Sequence, residues 1–160
     1  MSHEISKQLA VRLLKAGKYG VLSFIYHGDV QTYPLVYATD EAGEHIYLHG
    51  NRNKSLSKML ETAPRAKFVV VTNVAVDQPE FTLRYQSVIV EGQIAPVAFA
   101  DPQTKVAMVA TVKKYIGTDF SREHFKRTYQ NETPDLKVYD LKVATVSGRA
   151  HDVLPTVEEG

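Results

Sequence analysis

Between Leu83 and Val97 the chain alternates in a way that dictates a strand. Gln86, Val88, Val90, Gly92 and Ile94 share one face, and Tyr85, Ser87, Ile89, Glu91 and Gln93 share the other. The first face is the expected core side. Ile89 makes the second face apolar too, so it needs cover that a lone small barrel does not easily provide. Other segments carry the same signature. Tyr19–His27 and Val30–Thr39 are rich in β-branched and aromatic residues, and His27-Gly28-Asp29 between them is a tight-turn sequence. A third strand ends near His49, a fourth runs from Arg65 to Asn73, and the last spans Leu136–Gly148.

Helices fall between these strands. Ile5, Leu9, Leu13 and Leu14 recur at helical spacing before Gly17, which predicts a helix over residues 4–16. A second is expected from Asn53 to Thr62, stopped by Pro64. A third starts at Asp101-Pro102 and continues through Val106, Val109, Val112 or Lys113, and Ile116, and a fourth covers Ser121–Tyr129. Six strands joined mostly by short turns exclude a doubly wound parallel sheet, which needs a helix after nearly every strand. The expected fold is mainly β with peripheral helices, an antiparallel barrel whose closure removes exposed edges.

With 160 residues and 44% hydrophobic content, the chain supports one well-buried core. A single domain over 1–150 is expected, with a frayed tail after Gly148 that takes in 151–160. The formal charge is +1, and no stretch gathers Lys and Arg into a stripe, which argues against duplex nucleic acid as a partner. The chain has no cysteine, so disulfides, thiolate metal sites and thiol nucleophiles are excluded. No segment reads as a leader and no apolar run approaches a membrane span, so a soluble cytoplasmic protein is expected.

Ile46-Tyr47-Leu48-His49-Gly50-Asn51-Arg52-Asn53-Lys54-Ser55-Leu56 runs from an apolar strand through a polar turn into a helix. Unpaired N–H groups at a helix start carry partial positive charge, and Arg52, Lys54 and the Ser55 hydroxyl suit a phosphate there. A basic surface turn ahead of an ordinary helix accounts for the same residues, so the turn alone does not decide. Tyr33-Pro34-Leu35-Val36-Tyr37 places a proline in a strand. Pro34 cannot donate to a ladder, so this position belongs at an edge or beside a gap that could receive a planar ligand's edge.

Metal and hydrolase chemistry find little support. His45 and His49 on one strand lie about 13 Å apart, too far to share an ion, so no metal site is expected. His3, His124 and His151 read as solvated. Asn53-Lys54-Ser55 lacks the glycines of a P-loop, and neither G-x-G-x-x-G nor G-x-S-x-G occurs.

Four segments in order, Tyr19–Ser23, Pro34–Tyr37, Ile46–Gly50 with Asn53-Lys54-Ser55, and Tyr85–Gly92, resemble the flavin-binding split-barrel superfamily related to pyridoxamine 5′-phosphate oxidase. The branch they resemble most is that of the nitroimidazole-resistance flavoproteins, whose closing segment Ser147-Gly148-Arg149 is similar to. The resemblance implies a six-stranded antiparallel split β-barrel with FMN lying between the two subunits of a homodimer. It implies that the backbone of Pro34, Leu35 and Val36 faces the flavin ring. His49, Gly50, Asn53, Lys54 and Ser55 would surround ribityl and phosphate, and Tyr85 and Ser87 would line the same cleft. Gln86 and the Asn53-Lys54 pair depart from the true oxidases, which points away from pyridoxamine phosphate oxidation.

The expected function is that of an FMN-dependent oxidoreductase acting on a small molecule, with NADH or NADPH as a candidate reductant. The flavin would carry the chemistry, and no catalytic residue is assigned. The alternative is a non-catalytic flavin- or haem-binding protein using the same cleft, with His49 as the candidate axial ligand.

Overall fold

The computed structural model describes residues 2–132 and 134–151. The chain runs β1 (Ser2–Glu4), α1 (Lys7–Ala16), β2 (Gly20–Tyr26), β3 (Asp29–Leu35), β4 (Ala38–Thr39), β5 (His45–Asn51), α2 (Ser55–Leu60), β6 (Arg65–Asp77), β7 (Thr82–Val97), α3 (Pro102–Ile116), α4 (Arg122–Glu132) and β8 (Leu136–His151). The strands form one antiparallel sheet of eight, ordered β3-β2-β6-β7-β8-β5-β4, with β1 added beside β8.

Eight strands replace the expected six for two reasons. The segment expected to run unbroken from Val30 to Thr39 divides into β3 and β4, because Tyr37 gives its main-chain groups to a side chain instead of a ladder. Ser2–Glu4, in part expected as helix, pairs with Arg149–His151. That pairing also corrects the tail: β8 runs to His151, while residues 152–160 lie outside the described residues. Helix α1 starts at Lys7 because Ser6 caps it, its hydroxyl accepting from Leu9 N at 3.1 Å.

The edge strands β3 and β4 are consecutive in the chain. Only Val36 and Tyr37 separate the two ends of the sheet, so it curls until its edges nearly meet and stays open there. Pro34 sits on edge strand β3, as its missing N–H requires. The β2–β3 hairpin turns through His27 and Gly28, both at positive φ (49° and 83°), the twist a two-residue hairpin demands.

Inside the curl, Leu22, Phe68, Val70, Val88, Val90, Ile94 and Leu141 are fully buried, and α1 plugs one end with Ala10, Leu13 and Leu14. The alternation in β7 holds: Gln86, Val88, Val90, Gly92 and Ile94 all face this core. A second cluster lies on the outer face of β5 and β8, where Tyr47, Leu136 and Val138 pack against Ala107 and Met108 of α3 and Phe125 and Tyr129 of α4. The buried stripe of α3 is Thr104, Ala107 and Met108. Val106 and Ile116, both expected in the apolar stripe, are instead exposed.

Candidate functional site

Strand β4 pairs with β5 through Ala38 opposite Tyr47 and Thr39 opposite Ile46. Continued back past the end of that ladder, the same register puts Val36 opposite His49 and Leu35 opposite Gly50. The ladder does not continue, so the opening in the sheet lies between Leu35-Val36 and His49-Gly50. Val36 is exposed there, and Leu35 and His49 are half-buried.

Helix α3 holds the split in this form. The Tyr115 hydroxyl accepts from Tyr37 N at 3.0 Å, and both Tyr37 O, at 2.8 Å, and Lys18 O lie within its donor reach. Tyr37 itself is buried, its hydroxyl donating to Leu14 O and its ring edge-on to Phe68 at 4.9 Å. Burial pushes the Tyr37 phenol well above its ordinary pKa. Lys114 Nζ lies 3.6 Å from the centre of the Tyr37 ring and has no hydrogen-bond partner among the described residues. Desolvation first, then the nearby Lys18 charge, lower the Lys114 pKa from 10.5 to about 8.

Beyond His49 the chain enters the basic turn. Arg52 N donates to Asp135 O at 2.8 Å, and the Asn53 amide donates to the Asp135 carboxylate at 3.0 Å. Asn53 is thereby engaged in fixing the turn to the start of β8. Lys54 and Ser55 are exposed and open α2, which has no side-chain cap hydrogen bond, whereas Ser6 and Asp101 cap α1 and α3. Tyr139 secures α2 from below by donating to Ser57 O at 2.9 Å, and burial raises its pKa to about 12. A cleft of about 450 Å³ adjoins the turn, lined by His49, Gly50, Asn51, Asn131, Asp135 and Leu136. The uncapped helix start, with its lysine and hydroxyl, follows this cleft in the chain. The cleft's own lining holds the Asp135 carboxylate and no lysine or arginine among the described residues.

Tyr85 and Ser87 lie elsewhere on the same chain. His49 pairs with Val138, whereas Ser87 pairs with Arg149, eleven residues further along β8, about 35 Å of strand contour. One copy therefore does not bring the two groups together along that strand. Both residues point outward on β7, in line with Leu83 and Ile89. Ile89 stands beside Val69, which stands beside Val21, so an apolar row crosses three strands on this outer face.

His151, expected to be solvated in a tail, closes β8. Its ring stacks on Tyr85 at 5.8 Å and 11°, and its Nε2 lies 3.0 Å from Thr82 Oγ1. His45 is held by Asp140 at 2.8 Å and stacks on Tyr47. Among the described residues no three His, Cys, Asp or Glu gather where an ion could bind, and no helix is long and apolar enough to cross a membrane.

Residues 6–150 match the family model described as pyridoxamine 5′-phosphate oxidase. The chain belongs to that family. Three solved structures share the fold at low sequence identity. A candidate 5-nitroimidazole antibiotic resistance protein from Bacteroides thetaiotaomicron is 14% identical, with a TM-score of 0.76 over 94% of this chain and 87% of that one. The FAD and heme binding protein of Mycobacterium smegmatis is 15% identical, with a TM-score of 0.73 over 96% and 75%. The flavocytochrome Anf3 of Azotobacter vinelandii is 18% identical, with a TM-score of 0.72 over 99% and 72%. No curated protein matches the sequence. The split β-barrel expected for this family member is the fold observed, with an open sheet of eight strands.

Proposed function

We propose that this family member is a cytoplasmic homodimer that binds FMN in a cleft shared by two copies and acts as an oxidoreductase on a small molecule. The observation that carries the reading is the register that sets Leu35-Val36 across an opening from His49-Gly50, with the uncapped start of α2 just beyond. Main-chain groups of Pro34, Leu35 and Val36 would meet the ring edge. Lys54 and Ser55 would hold the phosphate, with Gly50 and His49 along the ribityl chain and Asn53 fixing the turn through Asp135. A second copy, seated on the apolar row of Val21, Val69 and Ile89, would carry its own Tyr85 and Ser87 to the cleft. The bound flavin would supply electron transfer, with NADH or NADPH as reductant, while the chain binds and orients it.

Titration of the purified protein with FMN, FAD and riboflavin tests this. FMN should bind far more tightly than riboflavin, because charged donors to a phosphate contribute roughly 1.5–3 kcal/mol each. Lys54→Ala with Ser55→Ala should erase most of that difference. Equal affinity for FMN and riboflavin would remove the phosphate assignment, and tighter FAD would change the cofactor.

Haem in the same cleft is the second reading. Two of the similar structures are described as a heme binding protein and a flavocytochrome, and His49 borders this chain's cleft. A Soret band lost in His49→Ala would establish it.

A further inference from the structure

Helices α3 and α4 do not close on each other. Between them lies a cavity of about 260 Å³, walled by Met108, Val112 and Ile116 from one face of α3 and by Phe120, Phe125 and Tyr129 from the loop and α4. Met108, Val112 and Ile116 follow one another at four-residue spacing, so they form a single apolar stripe. The three aromatic rings run in sequence: Phe120 meets Phe125 edge-on at 5.7 Å, and Phe125 lies against Tyr129 at 6.0 Å and 28°. Among the described residues no Asp, Glu, Lys or Arg lines the cavity, and its polar groups are the exposed Ser121, His124 and Thr128. A void of about 150 Å³ with apolar walls already accepts one benzene ring, so this one has room for one or two fused rings.

Its location gives the cavity a role. Tyr115, beside Ile116, grips the Tyr37 backbone at one wall of the split. At the other wall, Tyr47 packs with Met108, Phe125 and Tyr129, and His49 follows Tyr47 on the same outward face of β5. Asn131, at the end of α4, lines the His49–Gly50 cleft itself. The cavity and the split thus share α3, α4 and β5 as supports, with Tyr115 next to Ile116 and Asn131 two residues beyond Tyr129.

We propose that the α3–α4 cavity is the site for the second reactant, an uncharged aromatic molecule of one or two fused rings that it brings alongside the flavin cleft. This rests on the flavin reading above. The wall composition sets the preference: ring faces and aliphatic side chains favour a planar apolar molecule. The His124 ring and the Ser121 and Thr128 hydroxyls stand at the cavity's edge to meet a polar substituent, with no carboxylate, ammonium or guanidinium among the described residues there to pair a full charge. Val112 and Tyr129 are half-buried in its wall, and the exposed Thr128 stands at the rim.

Menadione, an uncharged two-ring quinone, is a suitable probe because the chain has no cysteine for it to alkylate. Calorimetric titration into the FMN-loaded protein should give one site per chain, and its binding should perturb the flavin's visible bands. Val112→Phe, which fills the cavity, should weaken menadione at least about tenfold while leaving FMN affinity within about twofold. Thr128→Trp, at the exposed rim, should do the same without touching the core. Menadione affinity unchanged in both variants would overturn the proposal, as would saturable binding that leaves the flavin bands unmoved. A wild-type protein that takes up no FMN removes the flavin reading and the second-reactant role together. That failure is read from the FMN titration alone, before any quinone is added.

Discussion

The hydroxyl of Tyr115 bridges both main-chain groups of Tyr37, 3.0 Å from its nitrogen and 2.8 Å from its oxygen. A residue 78 positions away thereby takes the hydrogen bonds that a ladder would have used, and the sheet ends where β3 gives way to β4. The opening that a ligand could enter follows from this substitution of a side chain for a strand.

Tyr115→Phe should therefore loosen the split. Leaving the Tyr37 N–H unsatisfied costs about 1–3 kcal/mol, readable as a lower denaturation midpoint in urea. FMN and riboflavin should weaken by similar factors, since the ring end of the cleft is affected and the phosphate end is not. A selective loss of FMN would place the effect at α2 instead.

Lys114 predicts a pH dependence. Its pKa is about 8 when folded and 10.5 when free, so between these values the unfolded chain binds more protons and stability rises with pH. Above pH 10 the trend should reverse, because burial raises the Tyr37 and Tyr139 phenols and the unfolded chain then ionises first. Lys114→Met should flatten the rise from pH 8 to 10 and should be more stable than the parent at pH 7. Urea midpoints at stepped pH measure both effects, and an unchanged slope in the variant would show that another group titrates.

Ile89→Glu tests the shared cleft. The substitution places a charge in the row of Val21, Val69 and Ile89 while the inward neighbours Val88 and Val90 stay in the core. Sedimentation should show a dimer for the parent and a folded monomer for the variant, with flavin affinity falling alongside. A parent that is monomeric and flavin-loaded at micromolar concentration would end the two-copy model.

His49→Ala separates the two cofactors. Because His49 borders the cleft, the flavin-loaded variant should keep its visible spectrum and bind FMN more weakly. Loss of a histidine-ligated Soret band in the same variant would identify His49 as an axial ligand.

Much of the fold was legible because its causes are local. The alternation from Gln86 to Ile94 reports a strand with one buried face through the pleat alone, and Asp101-Pro102 reports a helix start through the N–H groups it satisfies. His27-Gly28 reports a hairpin because only that turn needs two positive φ angles. Pro34 marked an edge because it has no N–H to donate. The basic turn before α2 was visible for the same kind of reason, as donors crowded at a helix start.

Register and long-range contact were decided only by the tertiary structure. Nothing near Ala38 in the chain indicates that it pairs with Tyr47, and nothing near Tyr37 announces Tyr115. His151 looked like tail until pairing with β7 and β1 set it against Tyr85 and Thr82. The cavity between α3 and α4 depends on which stripe of α3 turns inward, and Val106 lies on the exposed side although it is as apolar as Val112. Periodicity is set by neighbours along the chain, whereas pairing is a choice among many distant partners of similar chemistry. That choice is made by what the packed core accepts.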